Sequence, residues 1–426
     1  MKILIKNAKV ISPKDNLDDV LDILIEGSVI KDIRKDINLN VDKLIDAKDK
    51  IVMPAIVDMH VHLREPGRED KETIASGTMA AVHGGVGSLL SMPNTLATID
   101  CVENVRLLKE IISKNAKANV FICGAITKAR SGKELTDIEA LKEEGVIAIS
   151  DDGNSVDNEE LLLEALKITK RLKIITIEHC EDKSISKDGV MNLSFVSTCL
   201  GLKGMPREAE YKRVKRNIEL ASKVDAPIHI THVSCLESVD IIREAKKRGL
   251  KVTADTAPHY FSLTEEAVRT YDSNFKMNPP LRTEADVLAI KEALADGTID
   301  AIISDHAPHT ENEKEIEFDK AEFGIIGLET ELAVAITELL DKKILSFNEL
   351  VKKFTENPAR ILNIDKGSLG INKTADLIIV DPNKEWVVKK DFFFSKSKNS
   401  PFIGRTLKGI VNCTIISGEI VYSDFD

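Results

Sequence analysis

Eight apolar runs of strand length, the helical spacing between them, and two chain ends that alternate like short strands together predict an α/β fold. The expected architecture is a (β/α)8 TIM-type barrel with a small β-domain built from both chain ends. The runs are residues 51–59, 86–92, 119–126, 146–150, 174–179, 227–232, 251–255 and 299–304. Between them, stretches such as VENVRLLKEIISKNAK, DNEELLLEALKITKRLK and ESVDIIREAKKRGL carry apolar residues three and four apart with charges on the opposite face, the signature of a surface helix. Strand then helix, repeated eight times over roughly 250 to 300 residues, is the rhythm such a barrel requires.

The first fifty residues read as short strands at 3–10, 22–25, 29–33 and 43–46. The last sixty or so read likewise, through ADLIIVD, EWVV and GIVNCTIISGEIVY, where Ser417-Gly418 marks a hairpin turn. Isolated small sheets are marginal, so the expected division is a composite β-domain of residues 1–50 and 365–426 beside a barrel of residues 51–364. Two separate decorations are the alternative.

Composition bounds the function. The 426 residues suffice for a large barrel with additions, and 43% hydrophobic content with 22 Gly and 13 Pro excludes collagen-like or disordered chains. With 59 Lys+Arg against 70 Asp+Glu, the net charge of -11 argues against an electrostatic nucleic-acid binder, and an anionic ligand needs a locally positive site. Six scattered cysteines form no C-x-x-C pair, so neither a zinc knuckle nor a disulfide framework is signalled and a reducing cytosol suits them. The opening MKILIKNAKVISPKDN has too short an apolar run for a secretory signal, and no stretch of about 18 apolar residues occurs, so a cytoplasmic location without a membrane is expected.

In such a barrel the chemistry lies at the C-terminal ends of the strands. Strand one ends Asp58-Met59-His60-Val61-His62, and a period of two points His60 and His62 to the same side, where two imidazoles can share a metal. Strand five ends Ile177-Glu178-His179, strand six Thr231-His232, and strand eight Ser304-Asp305-His306-Ala307-Pro308-His309. His83, His229 and His259 read as structural, and His306 as a supporting partner of Asp305. Four histidines and an aspartate are ligands zinc accepts, and two zinc ions need an anion between them to offset their repulsion. Strand four ends Ala148-Ile149-Ser150-Asp151-Asp152-Gly153 and offers two carboxylates for that place, although Asp-Asp-Gly is also a good turn. Gly84-Gly85-Val86-Gly87 reads as the turn into strand two. No G-x-S-x-G, H-E-x-x-H or G-x-x-x-x-G-K-[ST] occurs.

The segments DMHVHLREPG (58–67), SMPNT (91–95), SDDG (150–153), EHCED (178–182), THVS (231–234), KMNPPLR (276–282), SDHAPHT (304–310) and FGIIGLE (323–329), followed by GSLGINKTADLIIVD, closely resemble the type I dihydroorotases of the amidohydrolase superfamily. The resemblance spans nearly the whole chain in consistent order. It implies reversible, zinc-dependent ring opening and closing between (S)-dihydroorotate and N-carbamoyl-L-aspartate, a step of pyrimidine (UMP) synthesis. It further implies that His60 and His62 hold one Zn2+ with Asp305, that His179 and His232 hold the other, and that Asp152 bridges them, with Asp151 as the fallback. Asp305 would also carry the proton, first as base and then as acid.

The substrate's carboxylate is expected at Arg64 and Asn94, with His309 orienting it. Asn278 would meet the ring, His62 would stand beside the substrate, and the backbone at Phe323-Gly324 would close the pocket. The competing reading of Arg64 is a surface ion pair with Glu65 or Glu69. Residues 146–153 contain no lysine, and Lys142 and Lys167 fall on predicted helices, which counts against a carboxylated-lysine site of the hydantoinase or allantoinase kind. Ala55 stands where the resemblance leads one to expect glycine after Pro54. The alternatives are another cyclic amidohydrolase (dihydropyrimidinase or allantoinase) and an inactive amidohydrolase-like scaffold. The expected partner is the small-molecule substrate, with a homo-oligomer or an association with aspartate transcarbamoylase left open.

Overall fold

The two ends of the chain pair with each other, and the barrel lies between them in sequence. The computed structural model describes residues 1–425. The N-terminal part supplies β1 (Lys2–Ser12), β2 (Leu17–Glu26), β3 (Val29–Arg34), β4 (Lys43–Asp46) and β5 (Ile51–Pro54). The barrel strands are β6 (Ile56–Val61), β7 (Val86–Ser91), β8 (Asn119–Gly124), β9 (Ala148–Ile149) and β10 (Ile175–Glu178). A two-stranded ribbon, β11 (Met191–Asn192) with β12 (Gly204–Met205), precedes the last three barrel strands, β13 (Ile228–Ile230), β14 (Val252–Thr256) and β15 (Ala301–Ile302). The C-terminal part adds β16 (Leu377–Val387), β17 (Thr406–Ile416) and β18 (Glu419–Ser423).

The eight barrel strands are parallel and neighbour one another in chain order, one for each apolar run expected from the sequence. The seam between first and last is drawn together by a bridge of Val61 with His306, where the His62 amide donates to His306 O at 2.9 Å. Helices cover the outside as their spacing predicts. The helix Glu159–Leu172 starts at Asn158, whose side chain accepts from the Glu160 and Leu161 amides, and it buries Leu162, Ala165, Leu166 and Thr169 on one face. The turn before β7 needs glycine for space, because a Cβ on Gly84 would stand 2.0 Å from Leu328 O. Among the described residues no helix is long and apolar enough to cross a membrane.

The end sheet runs β18-β17-β16-β5-β1-β2-β3, with β4 paired to β1. Two features add detail to the outline read from the sequence. The run 51–59 is two strands: Ile51–Pro54 pair with β1 and β16, and the chain crosses at Ala55 into β6. A continuous apolar run conceals the junction because both strands are buried. Residues 388–405 are not part of the sheet. The polar FSKSKNSPF stretch (394–402) lacks alternation; the segment 388–405 forms a 3-10 turn at Lys390–Phe392 and buries Phe393 and Phe402 in the barrel's hydrophobic core. On this pairing we propose a sheet unit of residues 1–54, 365–387 and 406–426, and a barrel unit of residues 55–364 carrying 388–405 as a strap.

Candidate active site

The rim residues expected to act together meet in one place. His60 and His62 leave the end of β6, Asp152 follows β9, His179 follows β10, His232 follows β13 and Asp305 follows β15, and all six are buried. Asp152 stands at the centre: its Oδ1 lies 3.3 Å from His60 Nε2, 3.6 Å from His232 Nε2 and 3.7 Å from His179 Nδ1, while Oδ2 lies 3.5 Å from His62 Nε2. Asp305 Oδ1 is 3.6 Å from His60 Nε2 and 3.4 Å from His62 Nε2. Asp151 turns away and accepts from the amides of Ile126 (2.9 Å) and Thr127 (3.0 Å) and from the Thr127 hydroxyl. Arg64, His232 and Asp305 have φ values of 62°, 41° and 47°, a left-handed backbone that side-chain-bearing residues adopt only where their surroundings enforce it.

Hydrogen bonds behind the rings decide which nitrogen faces the centre. Thr231 Oγ1 donates to Asp255 Oδ1 at 3.0 Å, so it accepts from His60 Nδ1 at 2.9 Å and leaves a lone pair on His60 Nε2. Asn94 Oδ1 accepts from His62 Nδ1 at 2.8 Å, with the same outcome for His62 Nε2. His179 Nε2 donates to Glu181 Oε2 at 3.1 Å, which leaves a lone pair on Nδ1, 3.0 Å from His232 Nε2.

Three histidines therefore aim lone pairs at one carboxylate. His60 Nε2 is buried yet makes no well-formed hydrogen bond. Burial opposes charge on His60, but Asp152 and Asp305 outweigh it and raise its pKa to about 10. Burial likewise pushes Asp305 up, and His62 and His60 pull it down to about 2. The carboxylates thus demand positive charge where the nitrogens offer lone pairs, and a divalent cation satisfies both. The two groups His60, Asp152, His232 and His60, His62, Asp305 each have ligand atoms within 4.8 Å of one another, the N and O donor set that suits zinc.

Beside this cluster lies a cavity of about 250 Å³ whose walls include Arg64, Asn94, Asn278, His309, Phe323 and Gly324, so each expected substrate contact reaches the same space. Arg64 does not pair with Glu65 or Glu69, which accept from the Ile74 and Gly67 amides. Its Nε donates to Pro308 O at 3.1 Å and its Nη2 lies 3.2 Å from His309 Nε2. Burial lowers its pKa to about 10, still cationic at neutral pH. Asn278 Nδ2 donates to Glu181 Oε2 at 3.0 Å, tying the ring side of the pocket to His179. Gly324 has φ 128°, and a Cβ there would meet Ala307 Cβ at 2.7 Å.

His83, His229 and His306 have partners outside the cluster. His83 faces Glu329 at 2.6 Å, and His229 bridges Thr253 and Asp255 inside the barrel. His306, expected to support Asp305, instead accepts from the Gly327 amide at 3.2 Å and faces Glu72 at 3.4 Å. Glu181 and Asp255 escaped the sequence reading although they orient the His179 ring and, through Thr231, the His60 ring; Glu181 carries a signal, lying two residues beyond His179. Asn399 carries none. From the strap its Oδ1 accepts from the His309 amide (3.2 Å), and its Nδ2 donates to Ala307 O (3.2 Å) and Gly324 O (3.1 Å).

Comparison with known proteins shows the family and the fold. A family model described as dihydro-orotase-like matches residues 49–238. The chain is 50% identical over 420 residues to a dihydroorotase of Elusimicrobium minutum, covering 99% of this chain and 97% of the relative. It is 50% identical over 427 residues to a dihydroorotase of Geobacter metallireducens, covering 99% and 100%. Among solved structures, the L-hydantoinase (dihydropyrimidinase) of Arthrobacter aurescens superposes with a TM-score of 0.89 at 24% identity, covering 100% of this chain and 96% of that one. The dihydropyrimidinase of Brevibacillus agri gives 0.88 at 22%, covering 100% and 95%. At that identity the likeness speaks for the barrel and end sheet alone.

Proposed function

Since the chain belongs to the dihydroorotase family of cyclic amide hydrolases, we propose that it opens and closes the dihydroorotate ring, interconverting (S)-dihydroorotate and N-carbamoyl-L-aspartate. The observation that carries this reading is the convergence of His60, His62, His179 and His232 on the Asp152 carboxylate, with Asp305 against His60 and His62, beside a pocket that presents Arg64. His60, His62 and Asp305 are suited to hold one zinc and His179 and His232 the other, with Asp152 shared. A metal pair bound there would supply a water of lowered pKa and a polarised amide carbonyl.

The chain's own groups do the rest. The Asp305 carboxylate, ionised at neutral pH, accepts the proton of the attacking water and returns it to the departing ring nitrogen. Ring closure runs the same transfers in reverse. Arg64 and His309 meet the substrate's carboxylate, so binding energy away from the scissile bond fixes the ring against the reacting groups. Asn94 holds His62 through Oδ1, which leaves its amide nitrogen as a donor on the pocket wall. Six unpaired cysteines, four of them buried, support a reducing, cytoplasmic setting.

The test is reconstitution. Apoprotein given zinc in degassed, bicarbonate-free buffer should interconvert dihydroorotate and carbamoyl-aspartate, followed in the ultraviolet, as fully as with bicarbonate added. Asp152 is a built-in carboxylate that needs no carbon dioxide, whereas a carboxylated lysine does. No turnover under either condition sinks the activity; recovery that rises steeply with bicarbonate sinks the assigned bridge.

A further inference from the structure

Among the buried cations that the mechanism leaves unused, Lys71 touches a side chain of the pocket. Lys71, in the loop between β6 and the helix Ile74–His83, is only 5% exposed, and its Nζ lies 3.0 Å from His309 Nδ1 and 2.9 Å from Glu313 Oε1. An ammonium has only hydrogens to offer, so Nδ1 must be the acceptor. The other ring nitrogen lies 2.9 Å from Phe323 O, which can only accept. One assignment satisfies both contacts: a neutral ring with its hydrogen on Nε2.

Glu313 competes weakly for His309. Its Oε2 is 3.6 Å from Nδ1, beyond a hydrogen bond, and already accepts from the Thr310 amide and hydroxyl at 3.1 Å; its Oε1 also takes Arg68 Nη2 at 2.6 Å. Burial and the charges of Arg64, Lys71 and Lys314 hold the His309 pKa well below the usual histidine value, in keeping with a neutral ring. Arg64 Nη2, also a donor, lies 3.2 Å from His309 Nε2 on the wall of the cavity. Two donors brought that close need an acceptor within reach of both: Phe323 O takes the His309 hydrogen, and a carboxylate oxygen lodged beside it would serve Arg64 Nη2 as well.

We propose that Lys71 is a positioning residue for the acid end of the pocket: it occupies the Nδ1 side of His309, so the ring's single hydrogen stays on Nε2, where Phe323 O accepts it and a substrate carboxylate beside Arg64 can share it. The inference rests on the reading of this pocket as the carboxylate site of a dihydroorotase. It gives the acidic protein a positive centre made of Arg64 and Lys71 with His309 between them.

The test combines kinetics with imidazole 15N NMR on the zinc-loaded enzyme. Wild-type His309 should show an unprotonated Nδ1 and a protonated Nε2. Lys71→Met removes the donor and opens Nδ1 to protonation facing Glu313, so KM for dihydroorotate should rise about tenfold, as for one lost buried hydrogen bond. Zinc content should be unchanged, and the loss should fall on KM rather than kcat. Lys71→Arg, which keeps a cationic donor, should restore most of the affinity and the wild-type 15N pattern. A protonated Nδ1 in the wild type, or an unaltered KM in Lys71→Met, overturns the proposal. If Lys71→Met fails to fold, the wild-type and Lys71→Arg spectra decide it. Wild-type protein that binds zinc but leaves dihydroorotate untouched would sink the functional reading, while the 15N spectrum would still decide the Lys71 contact.

Discussion

Asp151 and Asp152 are adjacent carboxylates with opposite surroundings: one accepts backbone amides and a threonine hydroxyl, the other faces imidazole lone pairs. Residue chemistry alone left both open, and the family resemblance pointed to Asp152, where the geometry also puts the centre. His60 and His62 were legible because a strand's period of two is a local rule. Asp255, which accepts from Thr231 Oγ1 and from the His232 amide, was not, because its relation to His60 runs through a neighbouring strand. Asp305 carries the sharpest prediction at this scale, since it is assigned both a metal contact and the proton. Asp305→Asn keeps the size and one oxygen donor but cannot take a proton, so the variant should retain much of its zinc and lose nearly all turnover in both directions. Zinc content by elemental analysis, measured beside the forward and reverse rates, checks this; a proportional fall in both would make Asp305 a ligand and put the base elsewhere.

Among the elements, the eight strands and their helices were legible because buried runs and 3.6-residue spacing are local patterns, while the break at Ala55 and the strap were not. Nothing in residues 388–405 signals that Ser395 and Lys396 donate to the Glu72 carboxylate, or that Asn399 holds three backbone groups of the pocket. The short helix Glu331–Ala335 hides another nonlocal feature. Its first residue, Glu331, is fully buried, and neither carboxylate oxygen has a hydrogen-bond partner among the described residues. Burial, with the nearby charge of Asp58, raises its pKa well above the usual value. A carboxyl with a raised folded pKa stabilises the fold fully below its unfolded pKa, and that contribution is lost as pH rises through the folded value. Glu331→Gln cannot ionise. Thermal melts of both proteins across about pH 5 to 8 should therefore diverge, wild type losing up to about 1.4 kcal/mol per pH unit relative to the variant. A difference that stays flat with pH would mean that Glu331 titrates alike in both states.

At the scale of the whole molecule, β16 joins what the sequence presents as separate parts. Its alternation sends Ile378 and Val380 into the barrel's core, and Leu377 and Ile379 into the sheet's own core with Ile3, Val10 and Ile23. The composite sheet was foreseeable because neither end alone can bury enough surface, but its adhesion to the barrel depends on which face of β16 points where, and that follows from pairing with β5. With both faces of one strand buried in different cores, loss of the sheet exposes the barrel, so sheet and barrel should unfold as one cooperative unit despite their different architectures. The chain provides its own reporter. Its one tryptophan, Trp386, lies on β16, donates through Nε1 to Gly409 O at 2.9 Å and packs against Phe392 with ring centroids 4.2 Å apart. On denaturant titration, Trp386 fluorescence, far-ultraviolet circular dichroism and loss of bound zinc should share one midpoint. Ile379→Ala, which leaves a cavity in the sheet's core far from any ligand, should move all three together by about 2–5 kcal/mol. A tryptophan transition that precedes zinc release would show the sheet to be an independently melting appendage and β16 a mere contact between two units.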